Sequence, residues 1–433
     1  MDLLLKNGHV IDPAQNLDMI TDIAIDNGCI AQIGVHLNTA AAKVIDLTGK
    51  VVCPGFVDLH THLRDPGFLY KEDLASGTQA AAAGGFTSIC CMPNTDPVID
   101  NAAVATYIRE KSEKHALVNV FPIGSITKNE AGENLSAIGE LVEAGCIAIS
   151  DDGKPVVSSY LMRNAMNYVK IFDVPIMSHC EDLSLAKDGQ VNEGLYATLT
   201  GLKGIPNACE EIIVARDIIL AGLTGVRLHI CHVSTAGSIQ LIRRGKADGI
   251  RVTCEVTPHH LALTEAVVSD FDADSKVNPP LRTQADVDAL RAALLDGTID
   301  AIATDHAPHH LEAKECEYNQ AAFGISGLET AIAVIMSELV NTGLLPLNKM
   351  VELFTSGPQR IINIERGTLK PGQVADITVI DPALEKTVNP QAFYSKGKNT
   401  PFKNKKLKGW PCLTIVNGQV VAEEGHIVKE RRI

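Results

Sequence analysis

The sequence predicts an α/β chain, a (β/α)8 TIM barrel carrying a small β-sandwich domain assembled from both chain ends. Three observations lead there. Eight short β-rich runs alternate with helix-patterned stretches over about 250 residues, the usual span of such a barrel. Turn-punctuated β segments occupy both termini. Five of the eight runs end in histidine or aspartate, side chains that ligate metals. The expected boundaries are 1–52, 53–364 and 365–433, with the first and last segments meeting in one β unit.

The N-terminal segment holds strand-like pieces at 3–5, 23–25, 30–33 and 43–45, separated by turn signals such as Asn27-Gly28 and Thr48-Gly49. The C-terminal segment repeats the style at 375–380 and 413–418, and Lys6-Asn7-Gly8-His9-Val10 is matched by Val416-Asn417-Gly418-Gln419-Val420. Each segment is too short for a core of its own, so the two are expected to pack together. The barrel strands are expected at 52–62, 86–92, 118–123, 146–150, 174–179, 227–232, 251–256 and 300–306. Helical patterns fill most intervals: 75–83 is Ala-rich and stops at Gly84-Gly85, while 210–220 and 286–295 place apolar residues on one face. An open doubly wound sheet is the weaker alternative, because no Gly-x-Gly-x-x-Gly turn follows the first strand.

Composition narrows the function. The net charge of −14 argues against nucleic acid, and an anionic substrate needs a local cation. The basic run at 396–408 reads as a solvated loop. The eleven cysteines lack paired Cys-x-x-Cys spacing, several lie in apolar runs, and buried thiols suit a reducing cytoplasm. No apolar run is long enough to span a bilayer, and the N-terminus lacks a basic n-region and cleavage site, so neither a membrane segment nor a signal peptide is expected.

His60 and His62 close the first run, and residues i and i+2 of a strand point the same way. The fourth run ends in Asp151-Asp152, the fifth in His179, the sixth in His232 and the eighth in Asp305. Barrel active sites lie at these C-terminal strand ends. Four histidines and two aspartates are too many for one zinc with an open position; they suit two metals sharing a carboxylate. Such a pair generates a hydroxide nucleophile with no Ser or Cys, leaving Asp305 free to shuttle a proton. No Gly-x-Ser-x-Gly elbow competes. Asp58 is expected behind a ligand histidine, and His259, His260 and His306 in supporting or packing roles.

The stretches Asp58-Leu59-His60-Thr61-His62-Leu63-Arg64-Asp65-Pro66-Gly67, Met92-Pro93-Asn94-Thr95, Ser150-Asp151-Asp152-Gly153, Asn278-Pro279-Pro280-Leu281-Arg282 and Thr304-Asp305-His306-Ala307-Pro308-His309 resemble type I bacterial dihydroorotases, of the amidohydrolase superfamily. The resemblance covers essentially the whole chain. It implies a zinc enzyme that reversibly cyclises N-carbamoyl-L-aspartate to dihydroorotate in pyrimidine synthesis. It implies that His60, His62 and Asp305 hold one Zn2+, that His179 and His232 hold a second, and that Asp152 and a hydroxide bridge them. Many superfamily relatives bridge with a carboxylated lysine on the fourth strand, but 146–150 contains none, and Lys154 lies past the turn. The resemblance assigns substrate contacts to Arg64, Asn94 and His309, with His62 and Leu63 beside them and Asn278 and the Phe323-Gly324 backbone completing the pocket. Arginine suits a carboxylate through its planar fork. The family often has Pro before that Phe-Gly pair, where this chain has Ala322.

Two other readings compete. A related cyclic amidase, hydantoinase or allantoinase, would carry the bridging lysine. A non-catalytic scaffold for aspartate transcarbamoylase would have lost metal ligands. Two protein partners stay open alongside the small-molecule substrate: a second copy of the chain and an aspartate transcarbamoylase.

Overall fold

The computed structural model describes residues 1–38 and 40–428; the last five residues of the expected 365–433 segment lie outside the described residues. Nine strands from the two chain ends form a single sheet. They are β1 (Leu3–Asp12), β2 (Leu17–Asp26), β3 (Cys29–Gly34), β4 (Lys43–Asp46), β5 (Val51–Pro54), β16 (Ile377–Thr387), β17 (Lys406–Val416), β18 (Gln419–Glu423) and β19 (His426–Ile427). The order is β19-β18-β17-β16-β5-β1-β2-β3, with β4 also paired to β1. The seam is the antiparallel β5–β16 pair, which sets Val52 opposite Val379 and Pro54 opposite Ile377. One apolar cluster spans the seam, with Leu5, Val10, Ile23, Ile25 and Val52 from one end and Ile377, Val379, Leu413 and Ile415 from the other. Each such side chain is worth roughly 1.5–3 kcal/mol when buried, so neither end holds this core alone.

The barrel strands are β6 (Phe56–Thr61), β7 (Phe86–Cys91), β8 (Asn119–Pro122), β9 (Ile149–Ser150), β10 (Ile176–Ser178), β13 (Leu228–Ile230), β14 (Val252–Val256) and β15 (Ala301–Ile302). β6, β7 and β8 pair in parallel, as do β9, β10, β13, β14 and β15 in that spatial order. Two single parallel bridges, Gly124 to Ile149 and Thr61 to His306, close the ring. A short parallel pair, β11 (Val191–Asn192) and β12 (Gly204–Ile205), decorates the excursion after β10. Helices pack outside: Leu74–Ala83 starts with an Asp73/Ser76 capping box, and Gln284–Leu295 with a Thr283/Asp286 box.

The run at 52–62, expected as one strand, is two. It breaks at Gly55, where a Cβ would lie 2.1 Å from Thr87 Oγ1. The chain therefore stays in the end-to-end sheet through Pro54 and enters the barrel at Phe56. Both pieces are fully buried, so hydrophobicity runs through the break without a mark. The fourth and eighth strands are shorter than expected, two residues each. Beyond the strands the backbone turns sharply, with positive φ at Arg64 (59°), His232 (34°) and Asp305 (48°). Such values are uncommon for side chains with a Cβ and concentrate where function needs a side chain aimed.

Candidate metal centre and active site

The six expected ligands converge at one end of the barrel. His60 lies in β6 and His62 just past it; Asp152, His179, His232 and Asp305 follow β9, β10, β13 and β15. None exceeds 8% exposure. Asp152 sits in the middle: its Oδ1 is 3.3 Å from His60 Nε2, 3.7 Å from His179 Nδ1 and 3.7 Å from His232 Nε2, and its Oδ2 is 3.4 Å from His62 Nε2. Asp305 Oδ1 lies 3.2 Å from His62 Nε2 and 3.6 Å from His60 Nε2. His179 Nδ1 and His232 Nε2 approach to 2.9 Å.

These donors fit divalent metal. His60 Nε2 and Asp152 Oδ1 are buried with no hydrogen-bond partner, a costly state that a cation between them relieves. His60, His62 and Asp305 present ligand atoms within 4.8 Å of one another, and so do His60, Asp152 and His232. Burial pushes the Asp152 carboxyl towards its neutral form, yet the facing His60, His232 and His62 hold it well below the usual carboxylate range. Asp305 behaves likewise, burial being outweighed by His60 and His62. A third group, His60, Cys231 and Glu255, also falls within that span. Burial, with Glu255 adding to it, pushes the Cys231 thiol up to about 12.

Three of the four inward-facing imidazoles, His60, His62 and His179, are held from behind. His60 Nδ1 meets Glu255 Oε1 at 2.9 Å, Glu255 Oε2 meets His229 Nε2 at 3.2 Å, and His229 Nδ1 meets Thr253 Oγ1 at 2.9 Å. Glu255 is fully buried, but hydrogen bonds from His229 and His60 overcome that burial and hold it down to about 2. An ionised Glu255 keeps the proton on His60 Nδ1 and turns the Nε2 lone pair inward. His62 Nδ1 meets Asn94 Oδ1 at 2.9 Å. His179 Nε2 meets Glu181 Oε2 at 3.3 Å, and Asn278 Nδ2 donates to Glu181 Oε1 at 3.0 Å.

Glu255 and Glu181 were not picked out from the sequence. The signal for Glu255 was a carboxylate inside the apolar run 251–256, a group that must be paired if that strand is buried. The role expected of Asp58 is corrected: its carboxylate does not touch an imidazole but accepts from the backbone N–H of His60 and Thr304 and from Thr304 Oγ1. It ties the ends of β6 and β15 together, and burial raises it to about 7.

Of the expected substrate contacts, Asn94 and Asn278 lie in the network just described. Arg64 is half-buried with its Nε buried and unpartnered, and its Nη2 is 3.5 Å from His309 Nε2. Burial lowers Arg64 to about 10, which leaves it charged. His309 Nε2 donates to Phe323 O at 2.8 Å and its Nδ1 is unpartnered. Burial and then Arg64 press His309 down to about 2, so the ring is neutral. Leu63 is buried and packs on the glycine face of the first helix, 2.5 Å from where a Gly77 Cβ would lie. Gly324 has φ 129° and approaches Ala307 O so closely that a Cβ would fall 2.6 Å away. His260 is fixed by Thr257 Oγ1 and Pro279 O, and His306 Nε2 faces Glu72 at 3.5 Å, both in supporting positions. His259 is buried with Nε2 unpartnered. Lys154 is largely exposed and turned to Glu130.

Known proteins place this arrangement. A family profile described as "Dihydro-orotase-like" matches residues 49–238, and one described as "Amidohydrolase family" matches 222–422. A dihydroorotase of Geobacter sp. (strain M21) is 51% identical over 426 residues, 98% of this chain and 100% of that relative. A dihydroorotase of Pelotomaculum thermopropionicum is 52% identical over 425 residues, 98% of this chain and 99% of its own length. The chain belongs to the dihydroorotase family. The amidohydrolase fold extends further: L-hydantoinase from Arthrobacter aurescens superimposes with TM-score 0.90 at 26% identity, covering 99% of this chain and 98% of its own. Dihydropyrimidinase from Brevibacillus agri does so with TM-score 0.87 at 23% identity, covering 99% and 97%, which speaks to the fold alone. As in this metal-dependent superfamily, the His/Asp cluster of this dihydroorotase-like chain lies at the C-terminal ends of barrel strands.

Proposed function

We propose that this chain is a dihydroorotase, a hydrolase that reversibly cyclises N-carbamoyl-L-aspartate to (S)-dihydroorotate and water in pyrimidine synthesis. The observation that carries it is full-length identity of about one residue in two to curated dihydroorotases, against 26% to the hydantoinase that shares the fold. The carboxylate of Asp152 at the centre of four imidazoles supports the same reading. A scaffold-only role is disfavoured, since every expected ligand is present and converged.

His60, His62 and Asp305 are proposed to hold one Zn2+ and His179 and His232 a second, with Asp152 shared between them. When bound, the pair would supply Lewis-acid polarisation of the ring amide carbonyl and activation of a water. Arg64 clamps the substrate carboxylate with its guanidinium. His309, Asn94, Asn278 and the backbone of Leu63, Phe323 and Gly324 line the ring's other edges. In hydrolysis, water adds to the amide carbon, Asp305 accepts the water's proton, and Asp305 returns it to the ring nitrogen as the C–N bond breaks. In cyclisation, the carbamoyl nitrogen attacks the carbon of the protonated side-chain carboxyl, and Asp305 moves the nitrogen's proton to the departing hydroxyl, which leaves as water. The proposed setting is the cytoplasm; all eleven cysteines are free, and no helix among the described residues is long and apolar enough to cross a membrane. A second copy of the chain and an aspartate transcarbamoylase are the protein partners the reading brings with it.

The test is dihydroorotate hydrolysis by metal-analysed protein before and after chelation, with hydantoin and allantoin as competitors. Two zinc per chain, loss of turnover on chelation and recovery with zinc are expected. Turnover that survives complete metal removal contradicts the proposal, and faster turnover of hydantoin or allantoin transfers it to the related cyclic amidases.

A further inference from the structure

Two lysines outside the metal centre are buried and play no part in the reaction as derived. Lys276 is 1% exposed and Lys314 6%. Lys276 stands two residues before Asn278 in the loop after β14, and Lys314 five residues past His309 in the loop after β15. Lys276 Nζ donates to the carbonyls of Tyr318 at 2.8 Å, Ala321 at 2.6 Å and Asn319 at 3.4 Å. Lys314 Nζ donates to Ala273 at 2.8 Å, Ala322 at 2.7 Å and Lys276 at 3.4 Å. An ammonium has three N–H donors, and here all are spent on backbone carbonyls.

The two links run in opposite directions. Lys276 reaches from the seventh βα loop into the eighth, and Lys314 reaches from the eighth back into the seventh. Between them lies the Phe323-Gly324 edge. The Phe323 ring centroid is 4.5 Å from Lys276 Nζ, within cation–π range. The Gly324 N–H donates to Lys276 O at 2.9 Å, and Phe323 O accepts from His309. Among the described residues no carboxylate forms an ion pair with either ammonium; Asp272 and Asp274 act on Lys314 only from longer range. Burying ammonium groups without a paired anion is costly, and apolar side chains would hold a loop of no consequence more cheaply.

We propose that Lys276 and Lys314 are positioning residues, a reciprocal clamp that sets the Phe323-Gly324 edge against the substrate ring and so governs substrate affinity. The clamp touches neither substrate, metal nor the proton in transit. The inference rests on the dihydroorotase reading, and it deepens that reading by assigning affinity to residues outside the pocket.

The experiment compares the metal-loaded protein with Lys276→Met and Lys314→Met, which keep side-chain length and remove the donors. Steady-state hydrolysis of dihydroorotate, metal content, and hydrogen exchange of peptides covering residues 313–324 are read together. KM is expected to rise about tenfold or more, the scale of leaving buried carbonyls unpaired. The same variants keep kcat within about threefold and metal content unchanged, and exchange faster in the 313–324 peptides while those of β14 stay protected. KM within about twofold of the parent, or a fall in kcat at unchanged KM, overturns the proposal. Should both variants fail to fold, exchange in the unaltered protein decides: protection of 313–324 comparable to the barrel strands supports the clamp, and loop-like exchange overturns it. A parent protein that does not turn over dihydroorotate sinks the functional reading instead, and the exchange comparison of parent and variants then tests the clamp by itself.

Discussion

The floor and the rim of this site are built on different principles. On the floor, metal-competent side chains stand on or within three residues of barrel strands, and His60, His62 and His179 are each oriented through the far ring nitrogen by Glu255, Asn94 or Glu181. At the rim, Arg64, His309 and the Phe323-Gly324 backbone sit on loops whose positions depend on contacts with other loops. In the proposed reading, rigid strands place charge where bond-making needs it, and the loops place shape where substrate choice needs it. Floor substitutions should therefore cost turnover or metal, and rim substitutions affinity.

The largest effect is expected at the floor. Asp305→Asn keeps an oxygen ligand but removes the proton acceptor, so kcat should drop by roughly 10²–10⁴, the usual worth of a general acid–base group, with metal content close to the parent's. Turnover near the parent value would move the proton transfer to another group. Next is Glu255→Gln, which leaves His60 without the charge that fixes its tautomer. Zinc affinity should fall about 10–100-fold, and activity should return when zinc is supplied in excess. A variant whose activity stays low at saturating zinc would place Glu255 in the chemistry itself.

A rim change should separate cleanly from these. Arg64→Lys keeps the positive charge and loses the planar fork. KM for dihydroorotate is expected to rise about tenfold, of the order of one charge-assisted hydrogen bond, with kcat and metal content little altered. A kcat loss that exceeds the KM change would show that Arg64 acts on the transition state and would erase the floor–rim distinction at that point.

The same division explains what was legible in the sequence. The barrel and the five strand ends bearing metal-competent side chains could be read because alternation and apolar runs are local signals, and a barrel converts them directly into a common rim. The break at Gly55 escaped because both flanking strands are buried, so no change of pattern marks the passage from sheet to barrel. Asp58 was misplaced because its partner, Thr304, lies 246 residues away in sequence and donates to the carboxylate from its backbone N–H and its hydroxyl. Glu255 faces His60 across 195 positions, and Lys276 engages carbonyls more than forty residues on. Contacts of that kind follow from closure of the ring, which no short window of sequence contains.

The smallest prediction concerns a carboxyl that breaks the floor's pattern of paired groups. Glu130 lies in the loop after β8, its side chain only 1% exposed, with both carboxyl oxygens unpartnered and Lys154 Nζ 3.9 Å away. Its neighbour Asp151 is, by contrast, fully engaged by the N–H groups of Ile126 and Thr127 and by Thr127 Oγ1. Burial, followed by the charges of Asp151 and Asp152, raises Glu130 to about 9. Between its ordinary value near 4.5 and 9 the folded chain therefore carries a proton that the unfolded chain has lost. Stability from this group is complete below the unfolded value and drains away as pH climbs through that window, by up to about 1.4 kcal/mol per pH unit. Glu130→Gln is neutral at every pH and should escape the loss. In urea titrations of metal-loaded protein, the variant should nearly match the parent at pH 5 and gain on it by roughly 4 kcal/mol between pH 5 and pH 8. A stability difference that does not change between those two pH values would mean that Glu130 is ionised in the folded chain, with Lys154 as a working partner.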